Sequence, residues 1–484
     1  MKRAVVGLAG VSLLVSGCGP VVSSEAFTDF ETSAQALTVV APTAVSMKSG
    51  GRCSQMGQVA NLGGSRALEC RKVAGNKLAW MAITSRTTTP TQNFKAEPIQ
   101  KCQIKDFVNY EPGVWTGGDL GYPAYGEMPS LGPVNIAIIP MDFSDNPGGA
   151  APTYLRQQMR TADRWIKQYS HGKMQYVWDF KPKWVRAPKP SRFYNLSKTY
   201  IAPDGSYKTV GKDPQTKEEA VAQMFQAAEK TYDLSKAEFV YFVFPKNIGN
   251  KIDFGFAGRD EVVKTKNATY RLGFGTSAGY GHSVGELWHQ WLHENLHSHG
   301  LIGHAPGNEY PYNIMAYDGG PGQSLTAWDT FILQWFDDNQ VACFDRETLG
   351  KETVTLTSMD VAAPGVKTAM VRLSEHEMIV IESRRKSTFT KGFPMGFYGV
   401  QAYYLTTKHD GQRYDYGLGR DVEKKYFAYY LQVDSMDHGL GQPSVGRLMN
   451  LNVVAYLGDT MTYKGLRIRF TKSGDHDTVE ISKR

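Results

Sequence analysis

The 484-residue chain has 54 Lys plus Arg against 47 Asp plus Glu, a net charge of +7 that is too dilute to mark a nucleic-acid binder. It contains no block of like charges and no nucleic-acid module, so no nucleic-acid partner is expected. With 41% hydrophobic and 21% charged residues the composition is that of an ordinary globular protein, and the length calls for two or three domains.

Lys2 and Arg3 precede an apolar run, Ala4 to Val15, that is too short for an ordinary spanning helix and suits a secretory signal. The run leads into Leu14-Val15-Ser16-Gly17-Cys18, which resembles the bacterial lipobox. That resemblance implies a signal peptide over residues 1–17, cleavage before Cys18 and a lipid on Cys18. The protein would then be exported and anchored to the cell envelope or cell surface, with the membrane as a partner through the lipid. Residues 18–48, mixed in Ser, Thr, Ala and Val, read as a tether. Lipidation of Cys18 leaves Cys53, Cys70, Cys102 and Cys343, and four cysteines allow three pairings. Cys53–Cys70 closes a short loop and is favoured; Cys102–Cys343 then follows by elimination. Residues 49–90, with glycine turns and short strand-like pieces, read as a small disulfide-closed β module.

Between residues 100 and 345 strands alternate with helices. Val134 to Phe143 is a β-branched strand, Tyr154 to Ser170 a helix by the spacing of Leu155, Met159, Ala162 and Ile166, and Lys217 to Tyr232 a second helix. Ala237 to Pro245 is a buried strand. Asp142 and Asp145 have the oxygen-ligand character of a Ca2+ site, although a turn made by Asp, Asn, Pro and Gly explains them equally well and is preferred. Residues 350–484 show strands only, about eight of them, with Gly, Asp and Ser between. This predicts an antiparallel β-sandwich following an α+β domain.

Four of the chain's 11 histidines fall within His293 to His304. On a helix over Gly285 to His299, Trp288, Trp291, Leu292 and Leu296 gather on a core-facing side. His289, His293 and His297 stack along a neighbouring stripe. His293 and His297, four residues apart, can share a Zn2+ ion, while Glu294, about 100° round, can reach a water without binding the metal. Glu294 would then act as general base in peptide hydrolysis and pass its proton to the leaving amine. Gly300 suits a left-handed helix stop, after which the chain could return a third ligand. His289 reads as a supporting or surface residue, His299 as a surface or packing residue, and His282 as a cap or cleft residue.

His293, Glu294, His297, Gly300 and Met315 resemble the HExxHxxG and Met-turn pattern of metzincins. The wider context, from about residue 130 onward, is similar to the immune-inhibitor-A-like secreted metallopeptidases. The resemblance implies a metzincin-like catalytic domain, a mixed twisted sheet with an active-site helix, followed by the sandwich. It implies a zinc-dependent endopeptidase acting on protein or peptide substrates, with Met315 as a packing floor beneath the metal. Tyr317 would donate to the developing negative charge, or else be a buried tyrosine with a satisfied hydroxyl. The pattern puts the third ligand at Gly303, one residue before His304. His304 is taken as that ligand because Gly303 relaxes the turn, with Glu309 and Asp318 as substitutes. The competing reading is a non-catalytic surface binding protein on a degenerate metallopeptidase fold, and intact Glu294 argues against it. A monomer is expected.

Overall fold

A computed structural model describes residues 59–61, 67–73, 77–83, 92, 94–106, 120–194, 199–201, 207–209, 217–251, 257–278, 287–301, 313–315, 322–390, 398–408, 428–431, 433–434 and 453–484. The expected signal peptide and tether, Cys18 and Cys53 lie outside them, and with Cys53 the Cys53–Cys70 pairing. The chain falls into two units, one taking in Gln92–Arg484 and the other Gly19–Thr91. In the smaller unit β1 (Val59–Asn61), β2 (Ala67–Val73) and β3 (Lys77–Ile83) form an antiparallel sheet in chain order.

The larger unit opens with β4 (Gly132–Asp142), α1 (Leu155–Tyr169), β5 (Met174–Phe180) and β6 (Val185–Arg186). A hairpin of β7 (Thr199–Ile201) and β8 (Tyr207–Thr209) leads to α2 (Lys217–Ala228), β9 (Phe239–Phe244), β10 (Ala257–Lys264), β11 (Thr269–Ala278) and α3 (Leu287–Ser298). One mixed sheet runs in the order β10-β11-β9-β4-β5, with β6 also against β4. β4 lies parallel to β5 and β9, β9 parallel to β11, and β10 antiparallel to β11 at the edge.

The two-residue period of the central strands sets the layers. Ile136 and Ile138 of β4, with Phe239, Tyr241 and Val243 of β9, share a core with α1 and α3. The intervening Ala137, Ile139, Met141, Val240, Phe242 and Phe244 share a second core with α2. Both strands are thus covered on two faces, which is why they read as near-continuous apolar runs. α1 buries Leu155, Met159, Ala162, Trp165, Ile166 and Tyr169, one stripe at helical spacing. β10 and β11 escape the sequence pattern because Gly273 and Gly275 interrupt the second of them. Gly273 lies opposite Phe239 on β9, and a Cβ at Gly273 would come within 2.3 Å of that ring.

After α4 (Ala327–Ile332) come β12 (Val341–Asp345), β13 (Lys351–Leu356), β14 (Thr368–Ser374), β15 (Glu377–Arg384), β16 (Gly399–Thr406), β17 (Ala428–Tyr430), β18 (Val454–Ala455), β19 (Thr460–Tyr463), β20 (Leu466–Lys472) and β21 (Asp477–Lys483). They form two sheets, β12-β14-β15-β16-β17 with β18 against β16, and β13-β21-β20-β19. The sheets share a core of alternate residues, Val371, Ile379, Ile381 and Ala402 from one and Val354, Ile468, Val479 and Ile481 from the other. Every described pairing within residues 350–484 is antiparallel, as the strand pattern predicts; β12, which precedes that region, lies parallel to β14. The chain between them passes through β13 in the second sheet and so re-enters the first in the same direction. Among the described residues the protein is mixed α and β, with five sheets and four α-helices.

The outer face of the first C-terminal sheet does not meet solvent. Met370, Met378, Val380, Tyr403 and Leu405 join the core that holds α1 and α3. Within this contact lies a buried polar cluster. Arg384 Nη1 donates to Ser324 Oγ at 2.7 Å and to Asp360 Oδ1 at 3.3 Å; its Nη2 donates to the Leu325 carbonyl at 3.1 Å and to Glu382 Oε1. Glu382 Oε2 accepts from Ala327 N at 2.7 Å, and Tyr169 Oη donates to Asp360. Burial raises the Asp360 and Glu382 carboxyls, with Arg384 pulling both down. Burial opposes the Arg384 charge, but Glu382 and Asp360 outweigh it and hold the guanidinium protonated.

Cys102 and Cys343 form a disulfide, the pair reached by elimination, across a separation of 241 residues. Closing so long a loop restricts the unfolded chain strongly. Reducing this bond is expected to lower the unfolding free energy by about 2–5 kcal/mol, read as a fall in the urea midpoint of the full chain.

Candidate metal centre

α3 carries the histidine cluster and is fixed from below. Trp291, Leu292 and Leu296 are fully buried in the core against the mixed sheet, and Trp288 packs half-buried beside them. Tyr241 of β9 donates through Oη to the Trp291 carbonyl and to Asn295 Oδ1, both at 2.9 Å. Trp291 Nε1 donates to Ser277 Oγ on β11, which in turn donates to Gln290 Oε1. The helix therefore cannot rotate about its axis without breaking hydrogen bonds to two strands.

The helix stops as the sequence predicts. Gly300 has φ +107°, Gly300 N donates to the His297 carbonyl, and Leu301 N reaches back to the Leu296 carbonyl at 3.0 Å. This pair of bonds is the Schellman arrangement with glycine at its left-handed position. It turns the Leu301 carbonyl back over the last helical turn, where His297 Nδ1 donates to it at 2.6 Å. His293 Nδ1 donates to the Ile314 carbonyl at 2.8 Å.

These two contacts fix the tautomers. A carbonyl only accepts, so each neutral ring carries its proton on Nδ1 and presents a lone pair at Nε2. The two Nε2 atoms stand 3.2 Å apart, with the rings at 88° to each other. Two lone pairs at that distance repel, and a cation placed between them makes the contact attractive. Nitrogens sharing one tetrahedral Zn2+ at about 2.0–2.1 Å would lie roughly 3.3–3.4 Å apart. The pair fits zinc in both spacing and orientation. Orienting carbonyls on the far nitrogen are the usual support of metal-bound imidazoles.

Glu294 is half-buried one position round the helix. Met315 is fully buried in the core shared with α3. Its backbone N–H is held by the Asn313 side chain, and Ile314 between them supplies the carbonyl to His293. The segment Asn313–Met315 thus meets His293 through the backbone of the residue before the methionine. His304, Tyr317, Glu309, Asp318 and His282 lie outside the described residues. Among the described residues no group of three or more His, Cys, Asp or Glu side chains converges.

Packing and hydrogen bonding decide His289, His299 and the two aspartates. His289 is buried beside Trp288, which removes a surface role. His299 is a packing residue: it is fully buried, stacked on Tyr176 with Nε2 3.3 Å from that hydroxyl, and burial lowers its pKa to about 4. The Asp142 and Asp145 carboxylates do not suit Ca2+. Arg186 pairs with both oxygens of Asp142, Gly148 N adds a third bond, and Asp145 accepts from the backbone and hydroxyl of Ser191.

Three supports went unread in the sequence. The Leu301 and Ile314 carbonyls carry no residue-type signal, since every residue has one. Asp329, at the start of α4, accepts from Thr326 Oγ1 at 2.6 Å and from Asn313 Nδ2 at 3.4 Å. Burial raises its pKa to about 7, with Glu382 adding to the shift and Thr326 and Arg384 opposing it.

No protein-family model matches the chain, and comparison with curated proteins finds no match.

A Cβ at Gly300 would lie 2.8 Å from the Tyr125 backbone, in a conformation that side chains avoid. Gly300→Ala should therefore cost about 1–3 kcal/mol in denaturant unfolding and weaken metal uptake, because the Leu301 carbonyl must shift. Asp329 predicts a pH signature. Its folded pKa is raised from 3.8 to about 7, so its contribution to stability is complete below about 4 and is lost as pH rises through 7. Relative to Asp329→Asn, the wild-type melting temperature should fall across that window.

Proposed function

We propose that the chain is a zinc-dependent endopeptidase of metzincin-like type, working outside the cytoplasm. The observation that carries this reading is the His293–His297 pair, with both Nε2 lone pairs turned toward each other and Glu294 beside them. The mixed sheet with α3 packed on it, the glycine stop at Gly300 and buried Met315 support it. His293 and His297 would hold the ion, and His304 would be the third ligand. Zinc bound there supplies Lewis acidity, lowering the pKa of a water and polarising the scissile carbonyl.

The chain's own residues do the rest. Glu294 accepts a proton from the attacking water and delivers it to the leaving amine. Its helix-borne position keeps it off the metal, leaving the carboxylate available as base. Tyr317 donates a hydrogen bond to the charge that develops on the carbonyl oxygen. A substrate in extended form would pair with an open sheet edge; among the described strands β10 is at such an edge, bonded to β11 on one side. The lipobox-like Cys18 would tether the enzyme to the envelope, where protein substrates are met.

The test is metal analysis of the purified chain, followed by casein digestion with and without a chelator. About one Zn2+ per chain is expected, with activity that chelation abolishes and zinc restores. Glu294→Gln should keep the zinc and lose activity by roughly 10²–10⁴-fold, whereas His293→Ala should lose the metal itself. Zinc uptake without hydrolysis of any protein substrate would favour the binding-protein reading.

A further inference from the structure

We infer that Arg384, on a C-terminal strand, is a positioning residue for the histidine pair. This rests on the zinc reading and names what holds that site in register. A continuous run of hydrogen bonds connects the two. Arg384 Nη1 donates to Ser324 Oγ at 2.7 Å. The Ser324 carbonyl accepts from Ile314 N at 2.8 Å, within a parallel bridge between Asn313 and Ser324. The Ile314 carbonyl accepts from His293 Nδ1 at 2.8 Å.

The segment around Ser324 belongs to no helix or strand, so its position is set by what grips it. β15 grips it, together with the first residue of α4, at three points. Arg384 holds the Ser324 hydroxyl and the Leu325 carbonyl, and Glu382, two residues earlier on the same strand, accepts from Ala327 N. Charged donors and acceptors give the shorter and stronger hydrogen bonds, and burial strengthens them further. Arg384 is 2% exposed and Ser324 0%. Displacement of Ser324 therefore moves the carbonyl that sets the His293 ring, and a metal site answers to shifts well under an ångström.

The experiment uses the full chain, freed of metal by chelation. It reads Zn2+ affinity by titration and the visible absorption of the Co2+ form. Ser324→Ala cuts the side-chain link to Arg384 while leaving the buried charges paired and the backbone carbonyl of residue 324 available as an acceptor for Ile314 N. It should weaken Zn2+ binding several-fold and shift the Co2+ bands; Arg384→Met should do so by roughly ten-fold or more. Ile468→Ala, in the core between the two C-terminal sheets, serves as a control that lowers stability without touching the run, and should change neither reading. Because Arg384→Met leaves Asp360 and Glu382 uncompensated and can unfold the chain, Ser324→Ala decides the matter. Wild-type affinity and spectrum in Ser324→Ala would overturn this inference alone. A wild-type chain that takes up neither metal would overturn the zinc reading and this inference together.

Discussion

The candidate site depends on the commitment of two imidazole protons to two backbone carbonyls. With Nδ1 of His293 tied to Ile314 and Nδ1 of His297 tied to Leu301, the remaining nitrogens of the neutral rings meet as lone pairs. The constraints differ in origin. Leu301 is local: the helix supplies its own acceptor through the turn that Gly300 permits, and any sequence with that glycine could make it. Ile314 is 21 residues from His293, and its carbonyl is useful only if a separate loop is held against the helix. Half of the site is therefore built by the helix and half by tertiary structure.

The tertiary half reaches far into the C-terminal strands. Burying Arg384, Asp360 and Glu382 together costs solvation that their mutual attraction offsets only when geometry is good, and an apolar cluster of equal volume would often be as stable. Stability is thus a weak reason for such a cluster. Its directionality is the stronger one: a guanidinium can hold a hydroxyl and a carbonyl of an irregular segment at fixed angles, which leucine or methionine cannot do. Asp329 adds a second brace from α4 to Asn313, so the turn at Met315 is held from two sides.

The parts of this that follow from periodicity and special residues are legible in the sequence. The core stripe of Trp291, Leu292 and Leu296, the two strands buried on both faces, the helix stop at Gly300 and the Cys102–Cys343 bond all follow from local pattern or from counting. What escaped depends on distant partners. The sequence rightly favours a turn over a cation site at Asp142 and Asp145, but their partners Arg186 and Ser191, more than forty residues away, cannot be read from the local pattern. His289 looked like a surface residue because the helical wheel does not show what covers its stripe. The carbonyls of Leu301 and Ile314 cannot be marked by side-chain identity at all. The 350–484 strands read as a separate domain because alternation reveals two faces and not what each face covers; Met370, Met378 and Val380 belong to the same core as Trp291, Leu292 and Leu296 of the histidine helix.

That last fact bears on how the helix itself can exist. Leu287–Ser298 spans 12 residues and holds three histidines, two tryptophans and an asparagine, none a strong helix former. A helix of that length and composition would be marginal alone in water. It is helical here because Trp291 and Leu296 are buried and because Tyr241 and Ser277 bond to it from the sheet. The spacing that lets His293 and His297 face each other is therefore a consequence of the surrounding core, to which the C-terminal strands contribute one wall. Metal chemistry at this site would thus be a property of the whole of Gln92–Arg484, because neither the helix nor the loop that orients it keeps its place without the strands that follow.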